Sequence, residues 1–416
     1  MNIKTQKPVA IVLGGSIPHI PVFQNLKEKG YYCVLFDYLE HPIAKTYADV
    51  HIQVDIHDKE LVLELAEKYD PKAIITICLD RPITTACYVA EQLNLPIPYD
   101  YKTSELVTNK ILMKERMVSS HIPTSNYTII DEENFQEKMY IELNCPLIVK
   151  PIDSTGSLGV IKVNAIEELG SAIKTSFEHS KKKQLIIEEF VGGEEWNMYF
   201  FIKDSEPQLL MVLQKLKIKD NQSGLQQVGS FVIPESNNIH LTQVNEIAKK
   251  VVIAFNLTKG PLLIQAKVTD GKLSVIEIAA RLGGTALSNA MMKELKDIDI
   301  IDLAIRSYLG DDFEIPQKTS KKILLSNFIY SKPGIFKEIL HLKELQVDGI
   351  VKQHYILKNE GDVIPKGITS KNRVGAFFVD SDSVEGALKK VEEAVKAIEV
   401  NDINNSSLLY NQIYAK

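Results

Sequence analysis

The sequence predicts an α/β and α+β protein that begins with a doubly wound parallel sheet and ends in a small α+β domain. Over the first hundred residues, short apolar runs alternate with helical patterns, as in the strand Val9–Leu13, the helical stretch 22–29 and the apolar run 31–36. This alternation is typical of a βαβ unit. A chain of 416 residues has room for two to four domains of ~100 to 200 residues each.

Composition narrows the class of protein. With 45% hydrophobic and 25% charged residues, the chain resembles an ordinary globular enzyme. Its net charge of -6 disfavours a nucleic-acid partner, which would require a basic face. The four cysteines form no Cys-x-x-Cys pair, so we expect a reduced, cytoplasmic setting. The apolar run Val9–Leu13 stops at Gly14-Gly15, too short for a membrane span, so no membrane partner is expected.

The N-terminal sheet offers two candidate ligand positions. Gly14-Gly15 follows the first strand, but the fingerprint G-x-G-x-x-G of dinucleotide-binding proteins is absent. Dinucleotide binding is therefore disfavoured. Asp80 and Arg81 follow the predicted third strand, 73–78, at the edge where open α/β sheets bind ligands. A substrate contact and a surface ion pair are equally consistent with these two residues.

A glycine-rich loop follows a strand that ends in a lysine. Lys150-Pro151 closes the apolar run 147–149, and the loop 154–159 contains two glycines and small hydroxyl residues. Such a loop lets backbone N–H groups approach phosphate oxygens. A strand predicted at 160–163 then closes a hairpin over the loop. Alone it is more typical of a surface turn with a solvated lysine, so a phosphate-binding role depends on the stretches farther along the chain.

Two further stretches supply carboxylates and an arginine. Glu188 ends a predicted strand and Glu195 follows a Gly192-Gly193 turn. Farther on, the strands 262–268 and 273–278 pair around a short turn and bring Gln265 beside Glu277, where the two side chains could share a metal. Arg281 comes next. A cation beside a glycine-rich loop, an acidic hinge and a carboxylate with an arginine suit nucleotide triphosphate binding and phosphoryl transfer.

Taken together, these stretches resemble ATP-grasp enzymes, the superfamily of biotin carboxylase, carbamoyl phosphate synthetase, the D-alanine ligases and the L-amino acid ligases. The resemblance covers nearly the whole chain. It implies a pre-ATP-grasp Rossmann-like domain at 1–103, a two-lobed ATP-grasp module at 104–318 with a flap lobe at about 125–190, and a C-terminal α+β domain at 319–416. The segment Arg373-Val374-Gly375 resembles the corresponding part of carboxylase-like members.

The resemblance also implies roles for individual residues. Phosphate contacts are expected from Lys110 and Lys150, with Ser157 in the mobile glycine-rich flap. Adenine contacts are expected from Glu188 and the backbone of Val191, and ribose contacts from Glu195. Metal ligands would be Gln265 and Glu277, and the catalytic residues Arg281, Lys150 and Gly284.

The metal-binding pattern departs from that of the superfamily. The pattern Glu-x-Asn-x-Arg reads here Glu277-Ile278-Ala279-Ala280-Arg281, so the usual asparagine ligand is missing. One carboxylate and one amide then remain for a metal that prefers carboxylates, water and phosphate oxygens. The number of metal ions stays open.

The implied activity is that of an ATP-dependent carboxylate–amine ligase, which forms an amide through an acyl phosphate, on an amino-acid-type substrate. ATP and Mg²⁺, with Mn²⁺ as an alternative, are the expected cofactors, small-molecule carboxylates and amines the partners, and a homodimer the default assembly. Two alternatives remain: a bicarbonate-using carboxylase of the biotin carboxylase or purine-pathway type, and a non-catalytic ATP-binding protein, which Ala279 suggests.

Overall fold

The computed structural model describes residues 6–135, 142–154, 158–218, 227–233, 241–284, 286–316, 318 and 320–410. Within these ranges no helix is long and apolar enough to cross a membrane.

The N-terminal part is a four-stranded parallel sheet with helices on both faces. Its strands are β1 (Val9–Leu13), β2 (Tyr32–Asp37), β3 (Val50–Gln53) and β4 (Ala73–Ile75), and its helices are α1 (Ile20–Glu28), α2 (Lys59–Glu67) and α3 (Pro82–Gln92). The strand order is β3-β2-β1-β4. Helix α1 packs on one face, and α2 and α3 pack on the other, which confirms the predicted doubly wound sheet.

The structure adds one strand to this sheet. Strand β3 lies at the sheet edge and is partly exposed, so Val50–Gln53 lacks the continuous apolar run that marks a buried parallel strand. The segment predicted as the third strand is therefore the fourth. It ends earlier than expected, at Ile75.

Two helices lead from this sheet to the rest of the chain. They are α4 (Tyr101–Thr108) and α5 (Lys110–Ser119). Asn109 separates them because its side chain accepts hydrogen bonds from the N–H groups of Ile111 and Leu112, a typical N-cap. Lys110 is consequently the first residue of α5.

A small antiparallel sheet comes next. It contains β5 (Tyr127–Asp131), β6 (Leu147–Pro151), β7 (Ile161–Val163) and β8 (Gln184–Glu189), in the order β5-β8-β6-β7. Helix α6 (Leu169–Phe177) covers one face through Leu169, Ile173 and Phe177. Strands β6 and β7 form the hairpin that the sequence predicts around the glycine-rich loop.

Most of the remaining chain builds a large antiparallel sheet. The later strands are β9 (Glu194–Lys203), β10 (Glu206–Lys217), β11 (Gln227–Val232), β12 (Gly260–Thr269), β13 (Lys272–Ala279), β14 (Ile323–Tyr330), β15 (Gly334–Leu340), β16 (Gln353–Ile356), β17 (Val363–Ile364), β18 (Arg373–Ser381) and β19 (Glu399–Asp402). The helices are α7 (Leu241–Ala254), α8 (Ala286–Lys296), α9 (Ile300–Leu309), α10 (Leu342–Val347) and α11 (Val384–Ala397). The large sheet has the order β13-β12-β9-β10-β11-β14-β18-β16, and β15 forms a smaller sheet with β17 and β19.

The large sheet crosses the predicted boundary at residue 319. Strand β11 pairs with β14 and β14 pairs with β18, so the C-terminal segment extends the same sheet as β9 to β13. The boundaries at 103 and 318 stay predictions. Because the sheet is continuous, side chains from β9 to β13 and from β18 can face one cleft.

Candidate active site

A cleft of about 450 Å³ lies where the small sheet, the large sheet and the carboxyl end of the N-terminal sheet meet. Eight of the predicted site residues line it: Lys110, Lys150, Glu188, Val191, Glu195, Gln265, Glu277 and Arg281. Gly284 is exposed and does not line the cleft. Ser157 lies outside the described residues, as do the neighbouring positions 155 and 156.

Glu188 forms the most deeply buried charged group of the cleft. Its Oε1 lies 2.6 Å from Lys150 Nζ, and its Oε2 lies 2.8 Å from Lys114 Nζ and accepts a hydrogen bond of 2.9 Å from the Ser125 hydroxyl. Burial alone would raise the pKa of Glu188, but the charges of Lys150 and Lys114 outweigh it and lower the pKa to about 2. The carboxylate is therefore ionised at neutral pH and joins α5 to β6 and β8.

Lys110 connects helix α5 to the glycine-rich loop. Its ammonium group donates a hydrogen bond of 2.8 Å to the backbone carbonyl of Ser154, at the start of that loop. Burial lowers the pKa of Lys110, and the nearby charge of Glu277 partly offsets this effect. A half-buried cation whose partner is a carbonyl rather than a carboxylate is suited to an incoming anion such as a phosphate.

The hinge between β8 and β9 brings an aromatic ring and a glycine turn to the cleft. The Lys162 ammonium lies 4.0 Å from the centre of the Phe190 ring. Gly193 has φ +80°, and a Cβ there would lie 2.0 Å from the carbonyl oxygen of Val268. Only glycine fits this close approach. Val191, two residues earlier, lines the cleft.

Glu195 is surrounded by three lysines. Its Oε1 lies 2.6 Å from Lys215 Nζ, and its Oε2 lies 2.9 Å from Lys217 Nζ and 3.7 Å from Lys267 Nζ. Burial would raise the pKa of Glu195, but Lys215 and Lys217 together lower it well below its usual range. Both oxygens of this carboxylate are thus engaged by lysines, whereas the resemblance assigns Glu195 to ribose hydroxyls.

Gln265 and Glu277 stand opposite each other in β12 and β13, as the sequence predicts. Asn197 of β9 is the cross-strand partner of Gln265 on its other side, and its buried Oδ1 has no hydrogen-bond partner in the described part of the chain. No group of three or more His, Cys, Asp or Glu residues within those ranges could hold a metal ion. This set of one carboxylate and neighbouring amide oxygens fits Mg²⁺ that takes its other ligands from water and phosphates.

Arg281 is held in place by Asp80. Its Nε and Nη2 both donate to the two carboxylate oxygens of Asp80, and its Nη1 donates to the carbonyl of Leu282 at 2.8 Å. Burial alone would lower the pKa of Arg281, but the charge of Asp80 raises it above its ordinary value. Asp80 follows β4, at the edge of the N-terminal sheet where the sequence predicts a ligand position. It does line the cleft, and it is the ion-pair partner of Arg281.

Backbone hydrogen bonds beside this ion pair join the end of β13 to the N-terminal part of the chain. The N–H of Leu282 donates to the carbonyl of Ile77 at 2.9 Å, and the hydroxyl of Tyr99 donates to the carbonyl of Ala280 at 2.5 Å. The end of β13 is therefore fixed against the end of β4. Arg281 retains two of its five N–H groups for a ligand.

Comparison with known proteins agrees with this geometry. Residues 143–289 match the sequence profile described as the ATP-grasp domain. The chain contains an ATP-grasp domain. This confirms the resemblance drawn from the lysine, hinge and Glu277-to-Arg281 stretches.

Relatives of the chain extend the match beyond the ATP-grasp domain. An L-arginine-specific L-amino acid ligase from Bacillus subtilis is 25% identical over 336 residues, which cover 78% of this chain and 79% of the relative. A carbamoyl phosphate synthase large chain from Thermoanaerobacter sp. is 25% identical over 203 residues, which cover 48% of this chain and 18% of the relative. The chain is thus related to ATP-grasp ligases.

Solved structures share the fold over nearly the whole chain. An L-amino acid ligase from Bacillus licheniformis superposes with a TM-score of 0.78 at 18% identity, covering 96% of this chain and 100% of that one. A phosphoribosylglycinamide synthetase from Anaerococcus prevotii gives a TM-score of 0.72 at 19% identity, covering 95% and 99%. The predicted fold class, with its parallel N-terminal sheet and mixed remainder, is confirmed.

Sequence reasoning missed several cations in and around the cleft. Lys114 lies one helical turn after Lys110, and this i, i+4 spacing could have placed both lysines on one face of α5. Lys215 and Lys217 alternate along β10, and the period of two would have placed both on one face of the sheet. Their convergence on Glu195 depends on the pairing of β9 with β10 and β12, which no local pattern shows.

We predict that Asp80→Asn weakens the contact between the N-terminal sheet and the end of β13. The substitution leaves the buried guanidinium of Arg281 without its counter-charge, so the free energy of unfolding falls by about 2 kcal/mol, less than for a fully buried pair because the Asp80 side chain is 34% exposed. Urea denaturation measures the change. Asp70→Asn is the control, since Asp70 pairs with Lys72 at the surface; equal losses in both variants would contradict the proposed role of Asp80.

We also predict that Glu188→Gln destabilises the protein in a pH-dependent way. The variant leaves Lys114 and Lys150 without their counter-charge and loses about 3 kcal/mol at pH 7. Because the pKa of Glu188 is lowered from 4.5 to about 2, its contribution is fully present above pH 4.5 and is lost as the pH falls towards 2. Urea denaturation across this range should show the two proteins converging in stability.

The neighbouring Glu189→Gln serves as the matched control. Glu189 accepts hydrogen bonds from Asn126 and Asn144 at the surface and contacts no lysine in the described ranges. We expect a loss below about 1 kcal/mol. A difference between wild type and Glu188→Gln that stays constant from pH 7 to pH 2 would show that the ion pairs do not carry the effect.

Proposed function

We propose that the protein is an ATP-dependent carboxylate–amine ligase that forms an amide or peptide bond through an acyl phosphate, on an amino-acid-type substrate. The observation that carries the proposal is the convergence of Lys110, Lys150, the Gln265–Glu277 pair and Arg281 on one cleft. The curated relative named as an L-amino acid ligase, which aligns with 78% of the chain, supports it.

The chemistry proposed for this cleft has two steps. An oxygen of the substrate carboxylate attacks the γ-phosphorus of ATP, and ADP leaves. The nitrogen of the amine then attacks the carbonyl carbon of the acyl phosphate, inorganic phosphate leaves, and the nitrogen loses a proton. Neither step needs a protein nucleophile, because phosphoryl transfer depends mainly on positioning and charge neutralisation.

Different residues of the cleft support these two steps. Lys110 and Lys150 place positive charge where the phosphates would lie, and both are held by fixed partners, the carbonyl of Ser154 and the carboxylate of Glu188. Arg281, fixed by Asp80, offers its two remaining N–H groups to the acyl phosphate and its tetrahedral adduct. A set of donors that is already oriented stabilises developing charge without reorganisation during the reaction.

Gln265 and Glu277 would hold the magnesium ion, with Asn197 beside them in the same cross-strand row. When bound, magnesium neutralises charge on the β- and γ-phosphates. The glycine-rich loop 154–159 is proposed to close over the phosphates and exclude water, which would otherwise hydrolyse the acyl phosphate.

A non-catalytic ATP-binding protein is the second candidate. The observation that favours it is Ala279, which is buried opposite Leu263 where the superfamily pattern has an asparagine. This leaves one carboxylate in the donor set. In this case ATP binds and ADP is not released.

Magnesium-dependent ADP release distinguishes these functions. The purified protein is incubated with ATP, a matrix of amino acids and other carboxylates crossed with amines, and bicarbonate in a separate arm, and products are identified by mass. We expect release to need both a carboxylate and an amine, with a product lighter than their sum by one water. Release driven by bicarbonate alone would replace the ligase by a carboxylase, and ATP binding without release would favour the non-catalytic protein.

Two substitutions in the cleft test the assigned roles. Lys150→Ala and Glu277→Gln are each expected to lower turnover by about 100-fold or more, because each removes charge that stabilises the transferring phosphoryl group. Lys72→Ala and Glu206→Gln, at exposed surface positions, are the matched controls and should keep full activity. Thermal denaturation shows whether each variant is folded, and full activity in a folded Lys150→Ala or Glu277→Gln protein would defeat the assignment.

A further inference from the structure

Lys215 places an ammonium group beside the predicted metal ligands. Its Nζ donates a hydrogen bond of 3.4 Å to Oε1 of Gln265 and lies 2.6 Å from Oε1 of Glu195. The ammonium thus contacts an amide oxygen and a carboxylate oxygen at once. Oxygens of these two types are also the ones that bind hard divalent ions in proteins. Lys215 lines the cleft, and its side chain is only 13% exposed.

The pairing of the large sheet brings Lys215 close to Gln265. Strand β10 pairs Leu213 with Asn197, and β12 pairs Gln265 with the same Asn197. Lys215 comes two residues after Leu213, so its side chain points to the same face of the sheet as that of Leu213. It reaches Gln265 diagonally across β9. The sheet therefore determines the position of this ammonium before any ligand is present.

One carboxylate of the cleft remains for metal ions. In the lining residues that the structure describes, the other carboxylates have both oxygens in contact with cations or amides: Asp80, Glu188, Glu189 and Glu195. That leaves Glu277, with the amide oxygens of Gln265 and Asn197 in the same cross-strand row. The side chain of Ala279 has no oxygen to offer. This set suits one divalent ion that completes its shell with water and phosphates, and it leaves a second ion without a carboxylate of its own.

The Lys215 ammonium lies near the position that a second ion would take. Phosphoryl-transfer sites that hold two divalent ions place them ~3.5–4 Å apart. An ion bound to Oε1 of Gln265 at ~2.1 Å would lie within ~5.5 Å of the ammonium, since the ammonium is 3.4 Å from the same oxygen. A lysine ammonium is a compact point charge that can contact phosphate oxygens. It therefore supplies positive charge there and repels a second metal ion.

From these observations we propose that the Lys215 ammonium takes the place of a second divalent ion. One Mg²⁺ is held by Glu277 and Gln265, and Lys215 provides the other positive charge for the triphosphate. The proposal rests on the proposed function for the presence of the nucleotide. It sets the number of metal ions, which the sequence leaves open, at one, and it gives a role to a lysine that no motif singled out.

The number of Mn²⁺ ions in a nucleotide complex tests the proposal. Mn²⁺ is titrated into the protein with AMP-PNP, the β,γ-imido analogue of ATP, and free Mn²⁺ is measured by electron paramagnetic resonance. The protein is in excess so that all the nucleotide is bound, and a titration without nucleotide is subtracted. We expect one Mn²⁺ per bound AMP-PNP up to about 1 mM free Mn²⁺. Two ions, the spin-coupled spectrum of a metal pair, or no binding of AMP-PNP would each overturn the proposal.

Substitution of Lys215 connects the ion count to this residue. In Lys215→Ala the oxygens of Glu195 and Gln265 lose the cation between them, so a second Mn²⁺ should bind there. With one equivalent of Mn²⁺, AMP-PNP should bind about tenfold more weakly or more, because a charged contact to the phosphates is lost. Lys215→Arg keeps the positive charge and should keep the count at one. A count that stays at one in folded Lys215→Ala would overturn the proposal.

Lys267→Ala is the matched control. Lys267 contacts the same carboxylate, but its Nζ lies 3.7 Å from Oε2 of Glu195 and donates to the carbonyl of Gly193 at 3.3 Å. In this variant Lys215 still covers Oε1 of Glu195, so the count should stay at one. A second ion that appears equally in Lys267→Ala and Lys215→Ala would result from the general loss of positive charge, and the role assigned to Lys215 would be wrong.

ADP release separates this proposal from the ligase function, because the ion count needs no turnover. If the wild type binds one Mn²⁺ and Lys215→Ala binds two, but no carboxylate and amine together release ADP, the ligase assignment fails and the role of Lys215 stands. If ADP release needs both substrates and the wild-type complex contains two ions, the ligase stands and the role of Lys215 fails.

Discussion

The rest of the cleft depends on the burial of the Glu188 carboxylate between Lys114 and Lys150. An isolated buried charge is strongly unfavourable, so none of the three groups would be stable there without the others. Since Lys114 belongs to α5, Lys150 to β6 and Glu188 to β8, the ion pairs make the helix and the small sheet one unit. That unit places Lys110, four residues before Lys114, against the carbonyl of Ser154.

Another side of the cleft is fixed by a second, partly buried ion pair, between Asp80 and Arg281. Here the N-terminal sheet contributes the carboxylate and the end of β13 the guanidinium, while Leu282 and Tyr99 add backbone hydrogen bonds beside them. The two ion pairs have a common consequence. Lys150 and Arg281 are each oriented before a ligand arrives, so less rotational freedom of their side chains is lost on binding.

Local sequence patterns predicted the elements that are marked by a continuous apolar run or a short turn. The strand Val9–Leu13, the hairpin β6–β7 and the pairing of Gln265 with Glu277 result from apolar runs and a turn, and the structure contains all three. Strand β3 was missed because an exposed edge strand carries little apolar signal. Local patterns do not show contacts between distant parts of the chain. Arg281 was found from its motif, but its partner Asp80 lies 201 residues away. The pairing of β11 with β14 likewise joins two segments that the sequence analysis assigned to different domains.

Charge placement, rather than total charge, distinguishes this cleft. The whole chain carries a net charge of -6. Most carboxylates that line the cleft nevertheless form ion pairs or hydrogen bonds within the protein, and these contacts fix the lysines beside them in position. A carboxylate held by lysines, as Glu195 is, orders those lysines and offers little to a substrate cation. In the described ranges three cations that line the cleft take part in no ion pair: Lys110 beside the glycine-rich loop, Lys162 on β7 and Arg373 on β18. These three cations remain able to attract anionic groups of a ligand, so their positions, rather than the net charge of the chain, set the electrostatic preference of the cleft.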